Sequence, residues 1–340
     1  MHLVTLTLPA TRHPGSLLSV LDLDKSGFLA LLDLAAELKR DRAARTELQR
    51  LGGRNIALIF EKNSTRTRCA FEVAAHEQGA HVTVLGPQGS HLGTEESLPD
   101  TARVLGRMFD GIEFRGFAQT SAEQFADHAG VPVWNGLTDQ WHPTQMLGDV
   151  LTMREHHAGP IEEISCAFLG DGRGNVARSL LVTGALLGMD LRIGAPRALW
   201  PPADVIRTAH ELAEASGASV VVTDDPADAV SGVDFVYTDV WVSMGESPQE
   251  WAVRIPQLLP FRVTERLMDA SGRRGTQFLH CLPAVHDGST ELGRRLHAQF
   301  DLDGAEVTDA VFESSRSIVF DQAENRLHTI KAVLVRALGR

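Results

Sequence analysis

The apolar positions of this chain fall into short runs separated by stretches of helical spacing, and the alternation starts at Asn55. NIALIF (55–60) reads as a buried strand followed by a helix from about Thr65, HVTVLG (81–86) leads to a helix from about Leu98, and GIEFRG (111–116) to one from about Ser121. VPVWNG (131–136) closes the first half. The second half repeats the rhythm with ISCAFLGD, LRIGAP, SVVVTDD, DFVYTDVW, TQFLHCLP and SIVFDQ, separated by helical stretches such as PADVIRTAHELAEASG. Strands that alternate with helices predict parallel sheets, so the expected class is α/β: two doubly wound parallel-sheet domains joined by two interdomain helices. The first linking helix is TQMLGDVLTMREHHAG and the second ENRLHTIKAVLVRALGR. The expected division is 1–150, with 324–340 packing back on it, and 151–323.

Composition narrows the function classes. At 340 residues the chain is long enough for two cores, and 43% hydrophobic with 22% charged residues is ordinary for a globular protein. No apolar run approaches the ~20 residues of a membrane span, and the first residues lack a basic stretch followed by an apolar one. A cytoplasmic protein is expected, with no membrane partner. The formal charge of −12, without any basic run, argues against nucleic acid, so an anionic ligand must be met by a local cluster. Three widely spaced cysteines, Cys69, Cys166 and Cys281, offer neither a disulfide framework nor a CxxC metal site.

Such a cluster exists. Ser64-Thr65-Arg66-Thr67-Arg68 places three hydroxyls and two guanidinium forks at a helix start, a cradle for phosphate or carboxylate; the plainer reading is a serine cap followed by solvated arginines. The glycines of a P-loop are absent. A competing signal is Gly172-x-Gly174-x-x-Ala177, which follows a strand and opens a helix like a dinucleotide fingerprint, with Arg197 placed to meet a 2′-phosphate. An NADP-dependent oxidoreductase is therefore the alternative, although close packing selects the same glycines. His142 and Gln145 in WHPTQ, Asp239 in TDVW, and His280 and Cys281 in HCLP all stand at strand ends, where parallel sheets bind ligands. His76 and His81 are five apart, the wrong spacing for HExxH, and no metal is expected.

Taken in order and spacing, STRTR, HPTQ, the Asn175 loop, DVWVSMG and HCLP resemble the ornithine carbamoyltransferases from about residue 3 to the C-terminus. The resemblance implies transfer of a carbamoyl group from carbamoyl phosphate to L-ornithine, giving citrulline and phosphate, with no metal or organic cofactor, in a homotrimer or a multiple of trimers. It implies that Ser64, Thr65, Arg66, Thr67 and Arg115 hold the phosphate. His142, with Arg115 and Thr67, would polarise the carbamoyl oxygen, while Gln145, the backbone at Cys281 and Leu282, and Arg326 position the carbamoyl group. Asn175, Asp239, Ser243 and Met244 would meet ornithine, with Asp239 and Cys281 near the attacking amine. His91 matches the residue that reaches a neighbouring subunit's site. The chain has GDGRGNVARS where the family often has two adjacent asparagines, so Gly174 stands in place of one of them. The direction of the reaction, biosynthetic or catabolic, is left open, because the same groups bind both sides of an equilibrium.

Overall fold

The computed structural model describes residues 13–86, 96–241 and 248–339. Their contacts divide the chain into two units, Met1–Leu151 with Glu324–Arg340, and Thr152–Ala323.

In the first unit, α1 (Lys25–Ala44) precedes β1 (Asn55–Phe60), α2 (Thr65–Glu77), β2 (His81–Leu85), α3 (Leu98–Leu105), β3 (Gly111–Arg115), α4 (Gln119–Ala129), β4 (Val133–Leu137) and α5 (Pro143–His156). The four strands form a parallel sheet in the order β2-β1-β3-β4. Ile56 to Phe60 are all buried, the continuous apolar run that a strand covered on both faces requires. Ala57, Ile59, Ile112 and Phe114 share one core cluster with α3 and α4. Side chains alternate along a strand, so Glu113 and Arg115 project to the opposite face.

The second unit contains β5 (Ser165–Leu169), α6 (Asn175–Leu187), β6 (Asp190–Gly194), α7 (Ala203–Ser216), β7 (Ser219–Thr223), α8 (Pro226–Val230), β8 (Phe235–Thr238), α9 (Pro248–Leu258), α10 (Glu265–Ala270), β9 (Gln277–His280), α11 (Glu291–Phe300) and α12 (Asp309–Phe312). Its five strands are parallel in the order β7-β6-β5-β8-β9. The boundaries between units fall inside α5 and inside α13 (Val319–Leu338).

SIVFDQ (317–322) departs from its expected strand. Ser317 forms a single parallel bridge with Phe278, and α13 starts two residues later. Val319 and Gln322 are buried whereas Phe320 is 66% exposed, so burial recurs at i and i+3, the helical period. The four adjacent residues of SIVF carry no period of their own, and length alone cannot separate strand from helix there.

Both sheets reverse direction of winding at one place. From β1 the chain goes outward to β2 and then returns to β3 on the other side; from β5 it goes to β6 and β7 and returns to β8. At such a switch the loops leave the two neighbouring strands in opposite directions and open a crevice beyond their carboxyl ends. Ser64 and the first turn of α2 follow β1, Arg115 ends β3, Asn175 opens the helix after β5 and Asp239 follows β8, whereas His142 and Cys281 follow the neighbouring strands β4 and β9.

Candidate active site

Ser64 caps α2: its Oγ accepts the Thr67 N–H at 3.2 Å. The plainer reading of this serine therefore holds, and it also fixes the first turn. Thr67 is fully buried, and its Oγ1 accepts two guanidinium donors, Arg115 Nη1 at 3.2 Å from the end of β3 and Arg326 Nη2 at 3.0 Å from α13. Arg115 Nη1 also donates to the Gly136 carbonyl at 3.2 Å. A hydroxyl keeps its own hydrogen after accepting, so Thr67 still has a donor to offer a ligand. Positive charge converges here at a helix N-terminus, the arrangement that stabilises a bound anion.

Arg68 takes no part. Its Nε pairs with Glu72 at 2.9 Å one turn along α2, and its side chain is 54% exposed. One of the two forks suggested by STRTR is thus a solvated arginine, and the second and third cations arrive from β3 and α13.

His142, 4% exposed, stands immediately before α5. Burial first, and then Arg326, Arg115 and Arg66, hold its imidazole well below the usual histidine range, so the ring is neutral near pH 7. That the fields of three arginines act on one ring places Arg66 in the same cluster. Gln145, 1% exposed, donates Nε2–H to Asp149 Oδ1 at 2.7 Å. Thr65 is exposed at the first position of α2.

Glu113 is a member of this neighbourhood that sequence reasoning missed. It is fully buried, and both carboxyl oxygens lack a hydrogen-bond partner among the described residues. Burial pushes its carboxyl well above the usual range, and Arg115 and Arg326 pull the other way without prevailing. A Cβ added at Gly136 would come within 1.8 Å of Glu113 Oε1 and 3.1 Å of Thr67 Cγ2, so only glycine leaves room for the acid there. The signal available in sequence was an acid set between two apolar residues, Ile112 and Phe114, of a strand-like run.

In the second unit, Asn175 opens α6 after β5, Asp239 follows β8, and Cys281 follows β9. The Cys281 thiol donates to Asp239 Oδ1 at 2.9 Å, and Oδ1 also accepts the Val240 N–H at 2.8 Å. Leu282 has φ +59°, a left-handed conformation that costs a leucine roughly 1–2 kcal/mol and must be held from outside. His280 supplies that restraint. Its Nδ1 accepts the Leu282 N–H at 2.8 Å, which leaves the ring hydrogen on Nε2, facing Glu306 Oε1 at 3.3 Å. The same Glu306 oxygen accepts the Val285 N–H at 2.6 Å, and Gln322 Oε1 accepts the His280 N–H at 2.9 Å. Glu306 and Gln322, both fully buried, carry no local sequence signature and become visible only when the chain folds. Alternation along a strand would turn His280 and Cys281 to opposite faces, but β9 ends at His280, and a ring nitrogen of His280 and the Cys281 Sγ lie within 4.8 Å of each other.

Asp239, His280 and Cys281 bring one potential ligand atom each within 4.8 Å, as do His286, Asp309 and Glu313. In the first group the thiol donates to Asp239, and the two imidazole nitrogens of His280 are engaged with the Leu282 N–H and Glu306. The second group is largely exposed at the surface. His91, Ser243 and Met244 lie outside the described residues.

The dinucleotide-like turn has a packing explanation. A Cβ at Gly172 would meet Pro201 Cδ at 2.8 Å and the Leu199 carbonyl at 2.9 Å, so close approach selects this glycine. Arg197 is paired with Asp224 at 2.6 Å rather than reserved for a ligand.

Comparison with known proteins agrees with the geometry. Residues 15–155 match the family model "Aspartate/ornithine carbamoyltransferase, carbamoyl-P binding domain", and residues 162–337 match its "Asp/Orn binding domain". A protein of Burkholderia mallei named "Ornithine carbamoyltransferase, catabolic" is 56% identical over 329 residues, covering 96% of this chain and 98% of that one. One of the same name from Pseudomonas putida is 58% identical over 311 residues, covering 91% and 93%. The solved ornithine carbamoyltransferase of Pyrococcus furiosus superposes with a TM-score of 0.87 at 38% identity, over 97% of each chain. With both halves matched in order, and the candidate residues gathered at the carboxyl ends of two parallel sheets, the chain belongs to the aspartate/ornithine carbamoyltransferase family.

Proposed function

We propose a division of labour among these residues for the reaction that the family assignment supports, transfer of the carbamoyl group from carbamoyl phosphate to the side-chain amine of ornithine. The observation that carries it is the Thr67 hydroxyl shared by Arg115 and Arg326 at the start of α2. The first unit binds carbamoyl phosphate. Its phosphate lies on the first turn of α2, against Ser64, Thr65, Arg66 and Thr67, with Arg115 as a further cation. The carbamoyl oxygen faces Thr67, Arg115 and His142. Because His142 is neutral, its ring acts as a hydrogen-bonding group and adds no fixed charge to the arginines. Gln145, Arg326 and the backbone at Cys281 and Leu282 orient the carbamoyl group, and His91 adds a contact from a neighbouring subunit.

Ornithine belongs to the second unit, with Asn175, Ser243 and Met244 at its α-amino and α-carboxylate groups and Asp239 with Cys281 at its side-chain amine. The amine attacks as the free base. A C–N bond forms, negative charge develops on the carbamoyl oxygen where the donors stand ready, and the C–O bond to phosphate breaks as the intermediate collapses. The departing phosphate takes the proton lost by the amine. Orientation supplies much of the acceleration, with roughly 7 to 11 kcal/mol attainable in favourable systems.

The catabolic direction is part of the proposal, supported by the names of relatives at 56% and 58% identity. So are a homotrimer and a cytoplasmic location, the latter in keeping with the finding that no described helix is long and apolar enough to cross a membrane. Colorimetric detection of citrulline from carbamoyl phosphate and ornithine tests the reaction. Light scattering tests the trimer, whose mass should be three times the 37.0 kDa chain. A strain lacking the gene should remain an arginine prototroph if the role is catabolic, and auxotrophy would contradict that role.

A further inference from the structure

The fold treats the two ends of the Gln145 side chain differently. Asp149, one turn further along α5 and fully buried, receives the Gln145 Nε2–H at 2.7 Å. An ionised carboxylate only accepts, which fixes the end of the amide that faces it as the –NH2, the arrangement seen here; turned over, the amide would set two acceptor oxygens against each other. The other end, Oε1, is buried and has no hydrogen-bond partner among the described residues. Buried acceptors are normally matched, and an unmatched one beside a ligand site points to a donor that arrives with the ligand. That donor must be an N–H or O–H group, and a methyl group cannot replace it.

We propose that Asp149 is a positioning residue that determines donor specificity: by holding the –NH2 of Gln145 it leaves Oε1 as an acceptor for the –NH2 of a carbamoyl group, so the site takes a carbamoyl phosphate and disfavours an acyl phosphate of the same shape. The inference rests on the reading of Gln145 given above and adds which end of the amide faces the ligand and what sets it. Carbamoyl and acetyl groups have nearly the same size and share the carbonyl oxygen, and their phosphates are alike. Thr67, Arg115 and Arg326 face atoms common to both ligands and cannot tell them apart. Among the side chains of the first unit the –NH2 against –CH3 difference falls to Gln145, and a site built to hydrogen-bond one group rejects the analogue that lacks it because its own polar atom is then left unmatched.

A matched pair of stable ligands reads this directly: phosphonoacetamide, which carries the –NH2, and 2-oxopropylphosphonate, which carries –CH3 in its place. Both are titrated calorimetrically into the full-length enzyme without ornithine, with inorganic phosphate as the reference. Wild type should bind the amide more tightly by roughly 5- to 150-fold, the range expected for one buried acceptor matched or left unmatched. Gln145→Ala should lower that ratio at least fivefold or, where the wild-type ratio is smaller, to about one. Asp149→Ala should do the same while leaving phosphate affinity unchanged, and Asp149→Asn, whose amide can hold either end of Gln145, should give an intermediate ratio. If Gln145→Ala keeps the wild-type ratio, Gln145 does not contact the carbamoyl –NH2, and the underlying reading fails together with the proposal. If Gln145→Ala loses the ratio but both Asp149 variants keep it, the reading stands and the role of Asp149 is refuted. A purely structural role would weaken both ligands equally and so counts against the proposal. Should Asp149→Ala fail to fold, the near-isosteric Asp149→Asn decides alone, and an unaltered ratio in it overturns the inference.

Discussion

Replacing Thr67 by valine removes one hydroxyl and little else. The branched shape is kept, including the methyl group that lies beside Gly136, and the residue is fully buried. Two charge-assisted hydrogen bonds vanish, from Arg115 at 3.2 Å and Arg326 at 3.0 Å. A hydrogen bond to a charged group contributes about 1.5 to 3 kcal/mol, so the pair sets an upper bound of roughly 3 to 6 kcal/mol. Both guanidinium groups can turn to the phosphate itself, which recovers part of this. A net loss equal to one bond, about 1.5 to 3 kcal/mol, lowers kcat/KM for carbamoyl phosphate by roughly 10- to 150-fold. Arg68→Ala is the matched control from the next position of the same helix. Its exposed pair with Glu72 is worth at most about 0.5 kcal/mol, so kcat/KM should stay within about twofold of wild type. Steady-state kinetics at saturating ornithine, with melting temperatures recorded alongside, give both numbers. Thr67→Val with wild-type kinetics would refute the shared-hydroxyl cradle, and an Arg68→Ala loss as large as that of Thr67→Val would show that the cradle uses a different arginine.

Three further outcomes are expected. Asp239→Asn should lower kcat/KM for ornithine by roughly 10- to 1000-fold, from about 1.5 to 4 kcal/mol of lost stabilisation, while calorimetric phosphate affinity, set by residues of the other unit, stays unchanged; a parallel loss of phosphate affinity would contradict the assignment. Glu113 has its carboxyl raised in the folded state, so the folded protein holds a proton that the unfolded chain releases, and stability falls as pH rises above the unfolded value near 4.5. The neutral isostere Glu113→Gln should therefore melt higher than wild type at pH 8, with the difference vanishing near pH 4; a constant difference across that window would count against a buried acid. Glu306→Ala leaves the Val285 N–H and the His280 Nε2–H without their acceptor, costing roughly 2 to 6 kcal/mol by thermal or urea unfolding, and an unaltered midpoint would contradict the buried contact.

The parts of this account that sequence made visible are those encoded by neighbouring residues. NIALIF, buried from Ile56 to Phe60, predicts β1, Ser64 caps at the position its type suggests, and α2 starts at Thr65. His142, Asp239 and Cys281 stand in the segments that follow β4, β8 and β9 because a parallel sheet collects its loops at the carboxyl ends of its strands, and Gln145 lies in the first turn of α5, the helix that follows His142. What stayed hidden depends on contacts distant along the chain. Nothing local to Arg326 says that it bonds Thr67, 259 positions earlier, and Arg68, its near neighbour in STRTR, turns away because Glu72 lies one helical turn along. Glu113 sits between Ile112 and Phe114, and its burial follows from the sheet and from Gly136 rather than from its own type. Glu306 and Gln322 act on the HCLP segment from elements that follow it, and SIVFDQ joins α13 because its burial repeats every three residues.

The most direct test of the central claim is a panel of acceptors assayed with carbamoyl phosphate: L-ornithine, L-aspartate, putrescine and N-acetylornithine, compared by kcat/KM. Asp239 sets a carboxylate beside the Cys281 thiol at the carboxyl end of β8, which favours a side chain ending in an amine and disfavours one ending in a carboxylate. The account predicts citrulline as the product and ornithine ahead of all three competitors. A higher kcat/KM for any of the others, or no citrulline from ornithine, would contradict it.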